Sequence, residues 1–284
     1  SMTLNGIEAS NVLIQGNIDN GEVSLSTIGA DVARGTLTGT AKRSADGGWQ
    51  VDNLRLSEIR LQSDKSLADF FAPLTTLPSL QIGRLDVTDA SLQGPDWAIA
   101  GLDLNLRNLT LSRGDWQSQE GTLSMNANEF IYGSLHFLDP ILNAGFSPQG
   151  IALRQFTSRW EGGMVRTSGN WLRAGNALVL DDAAFAGLEY TLPDNWKQLW
   201  MAPLPDWLQS LTIRKYSASR NLSIDIEPAF PWQITALDGY GGELQLVKNR
   251  SWGVWSGSAT LNAAAATFNR IDVRRPSLKL SAND

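Results

Sequence analysis

Cysteine is absent from the 284 residues, and histidine occurs once, at His136. Without a thiol the chain can form no disulfide framework, cysteine nucleophile or cysteine-ligated zinc site. Charged residues make up 18% of the chain, below the roughly 25% of an average soluble domain. The net charge of −6 argues against nucleic acid as a partner, since phosphate binding needs a cationic face. No stretch approaches the roughly 18–20 apolar residues of a membrane span, and no basic segment followed by an apolar core stands near the start. Ser1-Met2 reads as a cloning remnant, which leaves room for a signal or anchor upstream. The apolar share of 42% is still too high for an intrinsically disordered chain.

What is present is a period of two. Leu102-Asp103-Leu104-Asn105-Leu106, Leu222-Ser223-Ile224-Asp225-Ile226, Val23-Ser24-Leu25, Leu244-Gln245-Leu246 and Leu278-Lys279-Leu280 all alternate. Such alternation marks strands with one face in apolar company and the other in water. Between Val51 and Leu61 the apolar set changes phase twice, which predicts bulges or short breaks. Asn20-Gly21, Asp46-Gly47-Gly48, Arg113-Gly114-Asp115, Gly162-Gly163 and Gly241-Gly242 predict hairpin turns.

Two segments depart from this pattern. Leu67, Phe70, Phe71 and Leu74 have helical spacing behind Ser66 and Asp69, which are placed as a capping box. This predicts a helix over 66–73 closed by Pro73 and Pro78. Between Asp194 and Leu211, Trp196, Leu199, Trp200, Leu204, Trp207 and Leu208 predict two short helical pieces around Pro203-Leu204-Pro205. Ala72-Pro73-Leu74 and Ala202-Pro203-Leu204 lie 130 residues apart, each ahead of an alternating strand. Gly35-Thr36-Leu37-Thr38-Gly39-Thr40-Ala41 and Trp255-Ser256-Gly257-Ser258-Ala259-Thr260-Leu261 form a second, Gly-centred recurrence. The expected organisation is a partial repeat over 1–62, a full repeat over 63–193 and a partial repeat over 194–284. The expected fold is mostly β: an elongated, curved, bulged antiparallel sheet built from repeats, open as a groove or taco-like, with short amphipathic helices.

Candidate chemistry is thin. No nucleophile or carboxylate stands near His136 in sequence, so it reads as structural or as a surface residue. Asp181-Asp182 and Asp86 with Asp89 could serve glycoside hydrolysis as paired acids, although loop carboxylates in an acidic chain are usually solvated. Gly239-Tyr240-Gly241-Gly242 matches no phosphate or dinucleotide loop. The expectation is a non-enzymatic protein with no metal and no cofactor. Trp196, Trp200 and Trp207 either cap the end of a β core or, with Leu67, Phe70 and Phe71, form an amphipathic lip at a lipid interface. Exposed Trp could also serve a carbohydrate-binding module.

A sheet with one apolar face must cover it. If the sheet curls incompletely, an apolar trough remains, and exposed hydrocarbon is costly in water. An acyl chain could fill it: at about 0.8 kcal/mol per buried methylene, ~16 carbons offer on the order of 10 kcal/mol. Candidate lining residues are Val23, Leu25, Leu102, Leu104, Leu106, Leu222, Ile224, Ile226, Leu244 and Leu246. A closed sandwich with a filled interior is the alternative.

The runs Trp255-Ser256-Gly257-Ser258-Ala259-Thr260-Leu261, Arg275-Pro276-Ser277-Leu278-Lys279-Leu280, Gly187-Leu188-Glu189-Tyr190-Thr191-Leu192-Pro193 and Leu204-Pro205-Asp206-Trp207-Leu208 resemble the AsmA family of Gram-negative bacteria. The resemblance implies a β-rich body in the periplasm, tethered to the inner membrane by an N-terminal helix that this sequence lacks. It further implies similarity to bridge-like lipid-transfer proteins. The function it implies is phospholipid transport or outer-membrane maintenance, with phospholipid acyl chains as partners and no catalytic residues. A structural scaffold assisting outer-membrane assembly is the other reading.

Overall fold

A computed structural model describes residues 2–4 and 6–283. The chain is mostly β and separates into two compact units, residues 1–148 and 149–284. In the first, β1 (Met2–Leu4), β2 (Ile7–Asp19), β3 (Glu22–Val32), β4 (Gly35–Arg43) and β5 (Trp49–Ser57) run as an antiparallel meander. A short β6 (Arg60–Gln62) and helix α1 (Leu67–Thr75) lead to β7 (Ser79–Gln93), which lies parallel to β5 and β6. β8 (Trp97–Ser112) returns antiparallel and receives β9 (Asp115–Trp116), β10 (Gly121–Asn126) and β11 (Glu129–Tyr132). β12 (Leu135–Ser147) pairs with both β10 and β11.

The second unit follows the same plan. β13 (Gly150–Trp160), β14 (Gly163–Leu172) and β15 (Ala177–Ala186) form the meander. β16 (Glu189–Thr191) and helix α2 (Trp196–Met201) lead to β17 (Ser210–Asp225), parallel to β15 and β16. β18 (Trp232–Lys248) returns and receives β19 (Ser251–Asn262) and β20 (Ala265–Phe268), which pair in turn with β22 (Ser277–Ala282) and β21 (Ile271–Arg274).

The correspondence reaches individual backbone irregularities. Left-handed residues fall at Ala33 and Glu161, Glu58 and Gly187, Asp89 and Arg220, and Asp139 and Arg275. The carboxylates of Asp103 and Asp238 each accept a hydrogen bond from the backbone N–H of the left-handed residue opposite, Asp89 and Arg220. The Gly-centred runs at 35–41 and 255–261 lie in β4 and β19, which hold different places in the plan; β4 corresponds to β14.

The sheet is mostly antiparallel, as expected; the detail the expectation did not contain is that each helical crossover sets strands side by side in the same direction, β5 and β6 with β7 and β15 and β16 with β17. Several expectations need correction. α1 is capped as read, with Ser66 Oγ accepting from the N–H of Asp69 and donating to its carboxylate. However, the helix continues through Pro73 to Thr75. The Thr75 and Thr76 hydroxyls donate to the carbonyls of Ala72 and Pro73, satisfying the acceptors of the last turn. In the 194–211 segment one helix forms instead of two. Pro203 holds Ala202 extended (φ −71°, ψ 142°), and the chain stays non-helical to Leu208 apart from a turn at Asp206-Trp207. Gly241-Gly242 is no turn; it lies inside β18, where a Cβ on Gly241 would stand 2.4 Å from the Ser258 carbonyl oxygen. Among the described residues no helix is long and apolar enough to cross a membrane.

Candidate functional site

Strand register assembles the apolar residues into rows. In the first unit Ile14, Ile28, Gly39, Leu54, Leu85, Leu106, Leu123 and Ala144 stand opposite one another across eight strands. Two residues along lies a second row, Ala30, Leu37, Leu56, Val87, Leu104, Met125 and Leu142. Residues between the rows point to the other face. There Thr38, Arg55, Asp86, Asn105, Ser124 and Asn143 make a polar row. One face is therefore hydrocarbon and the other is wet.

Cover on the apolar face is uneven. Leu102, Leu106 and Val87 are buried, Leu104 and Leu56 half-buried, and Ile14 is 52% exposed. Val23 and Leu25 are half-buried on β3, opposite Arg43 and Ala41. The total accessible surface is 16810 Å², whereas two separate compact bodies sharing 30.9 kDa would expose roughly 14,400 Å².

The second unit is sealed more tightly at one end. Ala183, Leu211, Ile213, Leu244, Val247 and Ala259 pack with Leu204 and Leu208 from the α2–β17 connection, and Val247 has no exposed surface. Leu244 thus lies in a closed core, and Leu246 is half-buried against it. Leu222 and Ile224 are half-buried in β17, beside Glu189 and Thr191 of β16. Ile226 falls beyond the end of β17 and is 60% exposed.

The aromatic residues divide by unit. Phe70 packs against both Phe71 and Trp97, whose indole N–H donates to the Lys65 carbonyl; Leu67 is half-buried and Phe71 exposed. Trp196 is half-buried and donates to Asp225 Oδ2 at 2.9 Å. The Trp200 ring stacks on Trp252 (5.5 Å, 17°) with its outer face exposed, and Trp207 is 55% exposed. Two parts of the proposed lip are thus anchored by hydrogen bonds or stacking, while Leu199, Met201 and Trp207 stand in solvent.

Polar candidates are engaged individually. His136 meets Glu129 across the β11–β12 hairpin. Asp86 accepts from Arg84, Arg107 and Asn105, and Asp89 from Arg60. Asp181 pairs with Arg214, whereas Asp182 pairs with Ser168 and Arg166. Each acid is therefore engaged by arginines of its own, Asp86 by two and the others by one each. Among the described residues no group of three or more His, Asp or Glu could hold a metal ion.

Sequence reading missed the residues that complete the rows, namely Leu54, Leu56, Leu85, Val87, Leu123, Met125 and Leu142. A period of two identifies a strand's apolar side but not which strands lie side by side. The parallel step from β5 to β7 carries the row across the crossover, and no local pattern announces it.

No family model matches the chain, and no solved structure matches it. Over 283 of its 284 residues the chain is 72% identical to the AsmA family protein YicH of Escherichia coli (strain K12), and it spans half the length of that relative. With that identity sustained from end to end, the chain belongs to the AsmA family, as a YicH-type member.

Proposed function

We propose that the chain is a segment of a lipid-binding groove, whose apolar rows take phospholipid acyl chains and whose work is transport between membranes or upkeep of the outer membrane. The supporting observation is the pair of apolar rows crossing the first unit, half-covered by protein and backed by a polar face. A row of seven or eight strands spaced by about 4.8 Å extends some 30 Å, longer than a ~16-carbon tail. Membership of the AsmA family supports placing this segment in the periplasm, tethered to the inner membrane through the full-length protein. The role proposed is binding without catalysis, with no cofactor, because hydrocarbon offers nothing for paired carboxylates to act on.

The test is mass spectrometry of lipid carried through purification, combined with photo-crosslinking probes at Leu56, Leu104 and Met125. Asn105 and Ser124, on the polar face, serve as controls. Phospholipid crosslinked at the apolar positions alone is the expected result. An empty protein that crosslinks nothing, or equal labelling of both faces, overturns the reading. A second reading, a scaffold with a fully packed face, draws on the closed end of the second unit around Val247. Protein partners captured without lipid would favour it.

A further inference from the structure

We propose that residues 202–209 form a strap lying where hydrocarbon would otherwise lie at the sealed end of the second unit, and that Arg250 is the clamp holding it. The proposal rests on the groove reading. The strap sends two side chains inward: Leu204 and Leu208 pack on the cluster of Leu211, Ile213 and Val247. Pro203, Pro205, Asp206 and Trp207 are exposed, and α2 ahead of it contains no buried residue. The strap is therefore a cover laid over a core rather than a strand of it.

Arg250 grips this cover through several contacts. Its backbone N–H donates to the Gln209 carbonyl (3.1 Å), and its carbonyl accepts from the Leu204 N–H (2.9 Å). Its guanidinium donates to the Leu204 carbonyl and pairs with Asp206 at 2.7 Å. Two further ties come from elsewhere, Gln209 N–H to the Asn176 carbonyl and the Trp171 indole to the Trp207 carbonyl. The guanidinium contacts are the charge-assisted ones and hold the middle of the strap.

The first unit lacks both parts. Arg250 is the second residue of the left-handed turn Asn249-Arg250, and the corresponding turn, Arg113-Gly114, has glycine there. Between α1 and β7 only Thr76, Leu77 and Pro78 intervene. Opening the strap would expose the apolar surfaces of Leu178, Leu211 and Val247. Water penalises that exposure, but an acyl chain would cover the same surface. Strap and hydrocarbon are in this sense competing ligands for one patch, and the clamp sets the balance between them.

Arg250→Gly gives the second unit the residue of the first. Glycine suits the left-handed position (φ 65°), so the turn and fold are retained. Losing the charge-assisted contacts shifts the strap toward open by roughly tenfold. Amide exchange at Leu204 and Gln209 should then accelerate about tenfold, and the fluorescent fatty acid cis-parinaric acid should bind about tenfold more tightly. Asp206→Asn, which breaks the ion pair alone, should move both readouts the same way by a smaller factor. If wild type binds the probe and Arg250→Gly binds it no better, or exchange is unchanged, the strap proposal is overturned and the groove reading stands. If neither protein binds the probe, both are overturned.

Discussion

At the scale of the residue, Asp225 shows how one carboxylate fixes an aromatic helix. It is buried at the end of β17, where its side chain accepts from the Glu227 backbone N–H and from the Trp196 indole. The Glu227 N–H is the largest influence on its ionisation and lowers the pKa; burial works in the opposite direction, and Trp196 and Lys197 add to the lowering. A carboxyl held below its unfolded value stabilises the fold fully above that value, about 3.9, and the contribution is lost as pH falls through the lower folded value. Trp196 fluorescence should thus be constant from pH 8 to about 5 and change only below about pH 4. In Asp225→Asn that low-pH change should vanish, while Asp225→Ala should expose Trp196 to iodide quenching at every pH and lower the melting temperature. Trp196 was legible in the sequence from its spacing with Trp200. Its partner was not, because Asp225 lies 29 residues away in a run whose alternation marked it only as the polar side of a strand.

At the scale of the element, turns and bulges carry the strand plan, and their legibility depended on glycine. Asn20-Gly21 and Arg113-Gly114 form the left-handed turns their sequences predict, whereas Ala33-Arg34 and Asn269-Arg270 adopt the same geometry with no glycine to signal it. The phase change after Val51 was legible as an irregularity. Its form was not: β4 and β5 shift register between Thr40 and Ala41, so that Val51 faces Ala41 and Leu54 faces Gly39. Two opposed substitutions test this backbone account. Arg34→Gly relieves a side chain at φ 68° and should stabilise by about 1 kcal/mol. Gly35→Ala, one residue on, would set a Cβ 2.2 Å from the Ser57 carbonyl oxygen and should destabilise by about 1–3 kcal/mol. Gly163→Ala, its counterpart with 2.3 Å to the Ala186 oxygen, should cost a similar amount. Urea titrations of the three variants would check the signs, and an equal loss in all three would refute the assignment of Arg34 to a strained turn.

At the scale of the whole molecule, the central quantity is surface that folding leaves uncovered. The 16810 Å² exposed exceeds by about 2,400 Å² the roughly 14,400 Å² expected of two compact bodies, and Ile14, Ile18, Leu278 and Leu280 are among the exposed apolar residues. A native protein with such a face should bind the dye ANS, and a loosely packed one would bind it too. Cooperativity distinguishes them: dye binding should coexist with a sharp thermal transition, because Val247, Leu244 and Ala183 form a close-packed cluster. Hydrocarbon should then displace the dye and raise the melting temperature as its concentration exceeds its dissociation constant, by about 2.7 kcal/mol of added stability at a hundredfold excess. Leu56→Lys and Leu104→Lys, placed in the half-covered row, should weaken both effects, whereas Asn105→Lys on the opposite face should leave both intact. Equal dye displacement in all three variants would mean that hydrocarbon meets the protein somewhere other than these rows.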